Sequence, residues 1–317
     1  MVTNEMAAAV LPMENVQGVA AQQEVPAEGV PQEPVIPRRR RTRRERAVLG
    51  VKYAVSVLLI LFFLFPYMYM LFTSVMTAGE TSSIIVHFFP QNFQIENYKI
   101  VVDYLPNLGN TLVVLVINCI FQPLSACFCA FPLARHRFIG KKFVFMLVMS
   151  TVMVPGIVLQ IPSYIMYSAM GLINTLASQW IQAFFGGGAL SIFLVIQFMR
   201  TLPRELDEAA TIDGANQFQI FFVMILPNVM NVFLYLSISL FIGLWMDFQN
   251  PLIYLQVPEK YTLALAFYAD FSNTSSAIDR TNELCAMAVC MTIPPIIVFL
   301  LFQKTMIGGI KIGGIKG

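Results

Sequence analysis

Six stretches of the chain run apolar with almost no charge, at about 48–76, 108–134, 143–167, 176–199, 219–246 and 284–303. A helix of roughly 20 mostly apolar residues crosses about 30 Å of hydrocarbon, so each stretch predicts a membrane span. Polar segments of unequal length separate them. The longest, 78–107, carries Asn92-Phe93 and Glu96-Asn97-Tyr98, whereas 135–142 is a short basic turn, Arg-His-Arg-Phe-Ile-Gly-Lys-Lys. Pro155-Gly156 and Pro162 interrupt the third stretch and predict a loosened or kinked helix there, because each proline removes a backbone donor. The segment 200–218 differs from the other connections. Pro203 suits a helix start, Arg204 to Ile212 fits about two helical turns, and Gly214 suits the left-handed residue that ends a helix. On that short helix Glu205, Glu208 and Ala209 occupy neighbouring ridges, while Leu206 and Ala210 form an apolar strip. The pattern predicts an all-α polytopic membrane protein of six transmembrane helices with one polar helix between the fourth and fifth.

Composition agrees with this class. Hydrophobic residues make up 57% of the 317 residues and charged residues 12%, against about 25% charged in an ordinary soluble domain. The distribution of charge orients the spans. Basic residues cluster in Arg38–Lys52, Arg135–Lys142, Arg200–Arg204 and at Lys304, Lys311 and Lys316, which together hold 17 of the 20. All fall on one side if six spans alternate, and only Lys99, Lys260 and Arg280 remain opposite. Basic residues favour the cytoplasmic flank, which predicts cytoplasmic termini and a cytoplasmic 200–218 segment. Residues 1–47, rich in Ala, Val, Gln, Glu and Pro before an arginine run, predict a disordered basic cytoplasmic tail. Beside a first span, that run is expected to meet anionic membrane lipid rather than nucleic acid. The domain is expected over 48–307, followed by a Gly-rich cytoplasmic tail, 308–317.

The chain offers no catalytic site. Its two histidines, His87 and His136, fall on opposite sides by this topology, and no Gly-x-x-x-x-Gly-Lys-[Ser/Thr] segment is present to cradle ATP phosphates. Five cysteines, an odd number inside spans, predict neither a disulfide framework nor a metal site, and no cofactor is expected. Asn118, Gln122, Gln160, Gln182, Gln197, Asn228 and Asn231 lie within spans, where amides serve either sugar hydroxyls or neighbouring helices. Asp247 is expected at an interface as a polar anchor.

Residues 204–227 carry a resemblance to a known family. Glu208-Ala209-Ala210, Gly214 and Leu226-Pro227 fall at the spacing of the EAA loop of permease subunits in ATP-binding-cassette importers, with Met224 in place of an isoleucine. Further segments resemble the sugar-importer, MalG-like branch: Ala134-Arg135, Val154-Pro155-Gly156, Gly171 to Thr175, Pro251 to Tyr254, and the Gly-rich tail. The resemblance implies the MetI-like permease fold. It also implies that Glu205, Glu208, Ala209, Ala210, Asp213, Gly214, Leu226 and Pro227 couple the chain to a separate ATPase. The implied partners are a second, MalF-like permease subunit, a dimer of cytoplasmic ATP-binding subunits and an extracytoplasmic solute-binding protein. The implied function is alternating-access import of a carbohydrate, an oligosaccharide, across a bacterial cell membrane. From another class, an ion-gradient-driven secondary transporter is the alternative; it predicts internal repeats and ionisable groups at mid-membrane, which the sequence lacks.

Overall fold

The computed structural model describes residues 43–311. The chain divides into two units between Leu58 and Leu59. All regular structure among the described residues is helical. The long or apolar helices are α1 (Arg43–Thr73), α2 (Leu105–Arg135), α3 (Lys141–Ser150), α4 (Gln160–Ala169) and α5 (Ala189–Met199). They are followed by α6 (Glu205–Ile212), α7 (Met230–Trp245), α8 (Leu263–Ser272) and α9 (Thr281–Lys311). Among the described residues four helical segments are long and apolar enough to cross a membrane, and up to six if each of two bent pairs counts as one span. The first bent pair turns by 96° between Met153 and Gly156, at the Pro155-Gly156 expected to loosen it. The second, 217–228 with α7, turns by 71° at Val229. Most large apolar side chains point outward, among them Phe62 and Phe63 at 70% and 71% exposure. Such a surface suits lipid or a partner chain and not water.

Some boundaries differ from expectation. The reading of 1–47 as a tail lies outside the described residues except for 43–47, which form the first turns of α1. Of the Gly-rich tail only 308–311 are described, and there α9 continues to Lys311, past the apolar span expected over about 284–303. Glycine weakens a helix by about 1 kcal/mol per residue without blocking its hydrogen bonds, so an apolar helix can run through Gly308-Gly309.

Two cores form around opposite ends of α2. At its C-terminal end Ala126, Ala130 and Ala134, spaced four apart, let other helices approach closely. They pack with Ile192, Val195, Ile196 and Met199 of α5, and with Ile220, Phe221 and Ile225. At the other end Tyr104 and Leu115 pack with Trp245, Leu263, Met287 and Met291. The Trp245 indole donates to the Met291 carbonyl at 2.8 Å, which joins α7 to α9. The segment between α1 and α2 is held by Glu80, whose carboxylate accepts the N–H groups of Thr77, Gln91 and Asn92. These donors, Thr77 foremost, hold its pKa below the usual carboxylate value. Asn174, at φ 60°, donates its N–H to the Tyr254 carbonyl and accepts the Gln256 N–H, so two of the segments with family resemblance meet.

Several of the span amides join neighbouring helical segments or back-bond within their own. Asn118 donates to the Val114 and Gln179 carbonyls, Gln122 to Gly187, Gln182 to the Tyr167 hydroxyl, and Asn228 to Met224. Asp247 caps the next helical turn through Asn250. All five cysteines are free; Cys127 is buried, whereas Cys129 is exposed although it lies inside a span.

Gly186, Gly187 and Gly188 all have positive φ and bring the entry of α5 against α2. A Cβ on Gly187 would lie 2.5 Å from the Gln122 carbonyl oxygen, which is backbone and cannot swing aside. Gly187→Ala is therefore expected to destabilise by about 1–3 kcal/mol through its φ, with a similar amount from overpacking. Thermal unfolding of the detergent-solubilised protein checks this, and an unchanged midpoint would refute the close approach.

Candidate functional site

The polar helix predicted between the fourth and fifth spans is α6. Its first turn carries three acids, Glu205, Asp207 and Glu208, which the positive end of the helix dipole favours. Ala210 is buried against the core at 7% exposure, with Leu206 and Asp207 half-buried on the same side. Glu205, Glu208, Ala209, Ile212 and Asp213 are exposed. Ile212 is 87% exposed, an apolar side chain at the end of an otherwise polar face that the sequence reading did not single out.

The helix ends as expected. Gly214 has φ 82°, its N–H donates to the Thr211 carbonyl at 3.1 Å, and the Ala215 N–H donates to Ala210 at 2.9 Å. This pair of bonds is the Schellman ending, which needs a left-handed residue at the turn. The chain then restarts at once. Asn216 and Gln219 form a reciprocal capping box, in which the Asn216 side chain accepts the Gln219 N–H and the Gln219 side chain accepts the Asn216 N–H. The Asn-x-x-Gln spacing was open to reading from sequence. Residues Ile220–Ile225 then wind as a wider π-helix before half-buried Leu226 and exposed Pro227. Pro227 has no N–H to give its preceding turn, so the bonding ladder is already broken there.

Behind α6 lies a feature that sequence spacing does not reveal. Arg135, the last residue of α2, is 4% exposed along its side chain, and its Nε stands 3.4 Å from the Asp207 carboxylate. Its Nη1 donates to the Leu202 carbonyl at 3.2 Å. An open cavity of about 380 Å³ lies beside the pair, lined by residues including Phe131, His136, Glu208, Thr211 and Ile220. The cation that pairs with α6 is Arg135, 72 residues before Asp207 in the chain. No group of three or more possible metal ligands occurs among the described residues.

So α6 buries one side on the bundle and leaves an acidic side with two apolar members free, next to a bent, apolar set of helices. That architecture fits the helical membrane permease fold that the resemblance implies. The chain is similar to a bacterial ABC transporter involved in import of the acidic polysaccharide alginate, with a TM-score of 0.74 at 19% identity over 84% of this chain and 98% of that one. It is also 30% identical over 260 residues to the melibiose/raffinose/stachyose import permease protein MelC of Bacillus subtilis, covering 80% of this chain and 91% of the relative. The diacetylchitobiose uptake system permease protein NgcG of Streptomyces coelicolor is 26% identical over 273 residues, covering 85% and 89%. Residues 124–310 match the family model of the binding-protein-dependent transport system inner membrane component. The chain belongs to that family, the membrane permeases of ABC importers.

Proposed function

We propose that this chain is one of two permease subunits in an ATP-driven importer of an oligosaccharide. The observation that carries the reading is α6: its Glu208-Ala209 face is exposed and its end is fixed by Gly214, as a helix docking into another protein requires. The small Ala209 permits close backbone approach, and Glu205 and Glu208 supply charge-assisted contacts to a basic groove. That groove belongs to a cytoplasmic ATPase, present as a dimer, since this chain has no ATP site of its own. A second permease chain completes the path and an extracytoplasmic binding protein delivers the sugar to the 250–282 side. ATP closes the ATPase dimer, α6 moves with it, and the spans alternate between outward and inward access. The carbohydrate assignment is supported by relatives named for oligosaccharide uptake. Both termini and α6 lie in the cytoplasm of a bacterial cell, as the basic residues favour.

The orientation and the activity are tested together. Cysteines placed at Ser82 and Asn273 are expected to react with an impermeant thiol reagent outside intact cells, whereas one at Gly140 is not. Deleting the gene should abolish ATP-dependent uptake of the oligosaccharide that the accompanying binding protein holds. Labelling at position 140, or uptake that follows an ion gradient in ATP-depleted vesicles, would overturn the reading.

A further inference from the structure

We propose that Arg135 is a positioning residue that ties α6 to α2, so that displacement of α6 is carried along α2 to the 258–263 segment at its other end. This rests on the docking role proposed for α6. The guanidinium holds both sides of the turn that opens α6: the Leu202 carbonyl before Pro203, and the Asp207 carboxylate in the first turn after it. The guanidinium reaches both at once, the Leu202 carbonyl by a hydrogen bond and the Asp207 carboxylate as a buried ion pair, where the compact ammonium of a lysine offers a single point of contact. The entrance of α6 therefore moves with the end of α2 unless these contacts break.

Stability is a poor account of the pair. Arg135 Nε and Nη2 and Asp207 Oδ1 are buried without a hydrogen-bond partner. Removing charges from water offsets much of their attraction unless the remaining donors and acceptors are used, and apolar replacement of such pairs is often neutral or stabilising. A cation that is 4% exposed and only partly bonded is better placed to fix a position than to strengthen a core.

The far end of the same helix is bound as specifically. Asn107 donates to the Tyr261 carbonyl, and Asn110 to the carbonyls of Glu259 and Tyr261. The Thr111 hydroxyl accepts the Leu263 N–H at 2.7 Å. At 1.5 Å per residue, Thr111 and Arg135 lie roughly 36 Å apart along one helix. One helix of 31 residues, continuous through Pro123 and Pro132, thus bonds α6 at one end and, at the other, the loop that would face the binding protein.

The test uses the assembled importer in liposomes with its binding protein, and compares Arg135→Gln, Asp207→Asn and the double variant. The double variant removes both charges while keeping a similar shape, so it leaves no lone buried charge and remains informative if a single variant fails to fold. It is expected to retain its ATPase and hydrolyse ATP, while uptake per ATP falls about tenfold, within the usual range of coupling between sites. A single variant that folds should lose about as much as the double, because the two groups act as one. Wild-type uptake per ATP in the double variant would overturn the proposal. So would losses that multiply from single to double, or a double variant that no longer holds its ATPase. Glu208→Lys run in parallel separates the two claims: if it transports normally the docking reading fails, whereas if it alone fails only the Arg135 tie is wrong.

Discussion

Glu208→Lys is expected to leave the protein at normal abundance in the membrane and to abolish both ATPase co-purification and ATP-driven uptake. Glu208 is exposed on the free side of α6, so the substitution removes little buried area and the spans should still insert. At a docking contact it replaces an attraction by a repulsion. A hydrogen bond to a charged group contributes about 1.5–3 kcal/mol. A like-charge contact costs several kcal/mol more. Even about 3 kcal/mol is roughly a hundredfold in affinity. Glu208 also borders the cavity beside Arg135, so a lysine there brings a second cation near the buried one. Glu208→Gln separates these effects, because it is neutral: it should weaken the complex without eliminating it. A Glu208→Lys protein that keeps its ATPase and full uptake would show that Glu208 is not part of the docking surface.

The helical layout was legible because the bilayer leaves so little freedom. Long apolar runs have to be helices, and the prolines at 155 and 227 each lie beside a break in a helix of the fold. The short helix 205–212 and its glycine stop were legible for a different reason. Helix ends are local, and the bonds that close α6 span only residues 210–215. What the sequence hid is what depends on distance along the chain. Arg135 and Asp207 meet because α2 ends beneath α6, and no periodicity links position 135 to position 207. The choice of Asp207 over Glu208 for the buried side follows from that packing: Asp207 shares the inward side with Ala210, while Glu208 stands one residue round the helix toward solvent. Ile212 was missed because an apolar residue at the last turn of a short helix reads as part of its inner strip, yet here the chain turns and leaves it outside. The exposure of Cys129 has a related cause. Membrane helices bury only part of their girth within one chain, so a residue inside a span need not be inside the protein.

Gly214→Val is expected to cause the same selective failure as Glu208→Lys, by another route. An added Cβ at position 214 meets no atom within 4 Å, so the substitution creates no clash and its cost is confined to the backbone. That cost arises because φ is 82°, where a β-branched side chain is strained by about 1–3 kcal/mol. Relieving the strain means rotating out of the left-handed region. The bonds from Gly214 to Thr211 and from Ala215 to Ala210 would then break, and the last turn of α6 would unwind. The capping box at Asn216 starts the next helix only two residues later, so its direction would shift as well. Abundance should stay near normal because Gly214 is exposed and the core residues around α2 are untouched. ATPase co-purification and uptake should fall by about an order of magnitude or more, since about 1.4 kcal/mol is tenfold. Gly214→Asn is the internal control: asparagine tolerates the left-handed region, so it should retain most of the uptake that valine loses. If valine and asparagine behave alike, the left-handed turn is not what position 214 contributes; if valine transports normally, the geometry that ends α6 has no part in coupling.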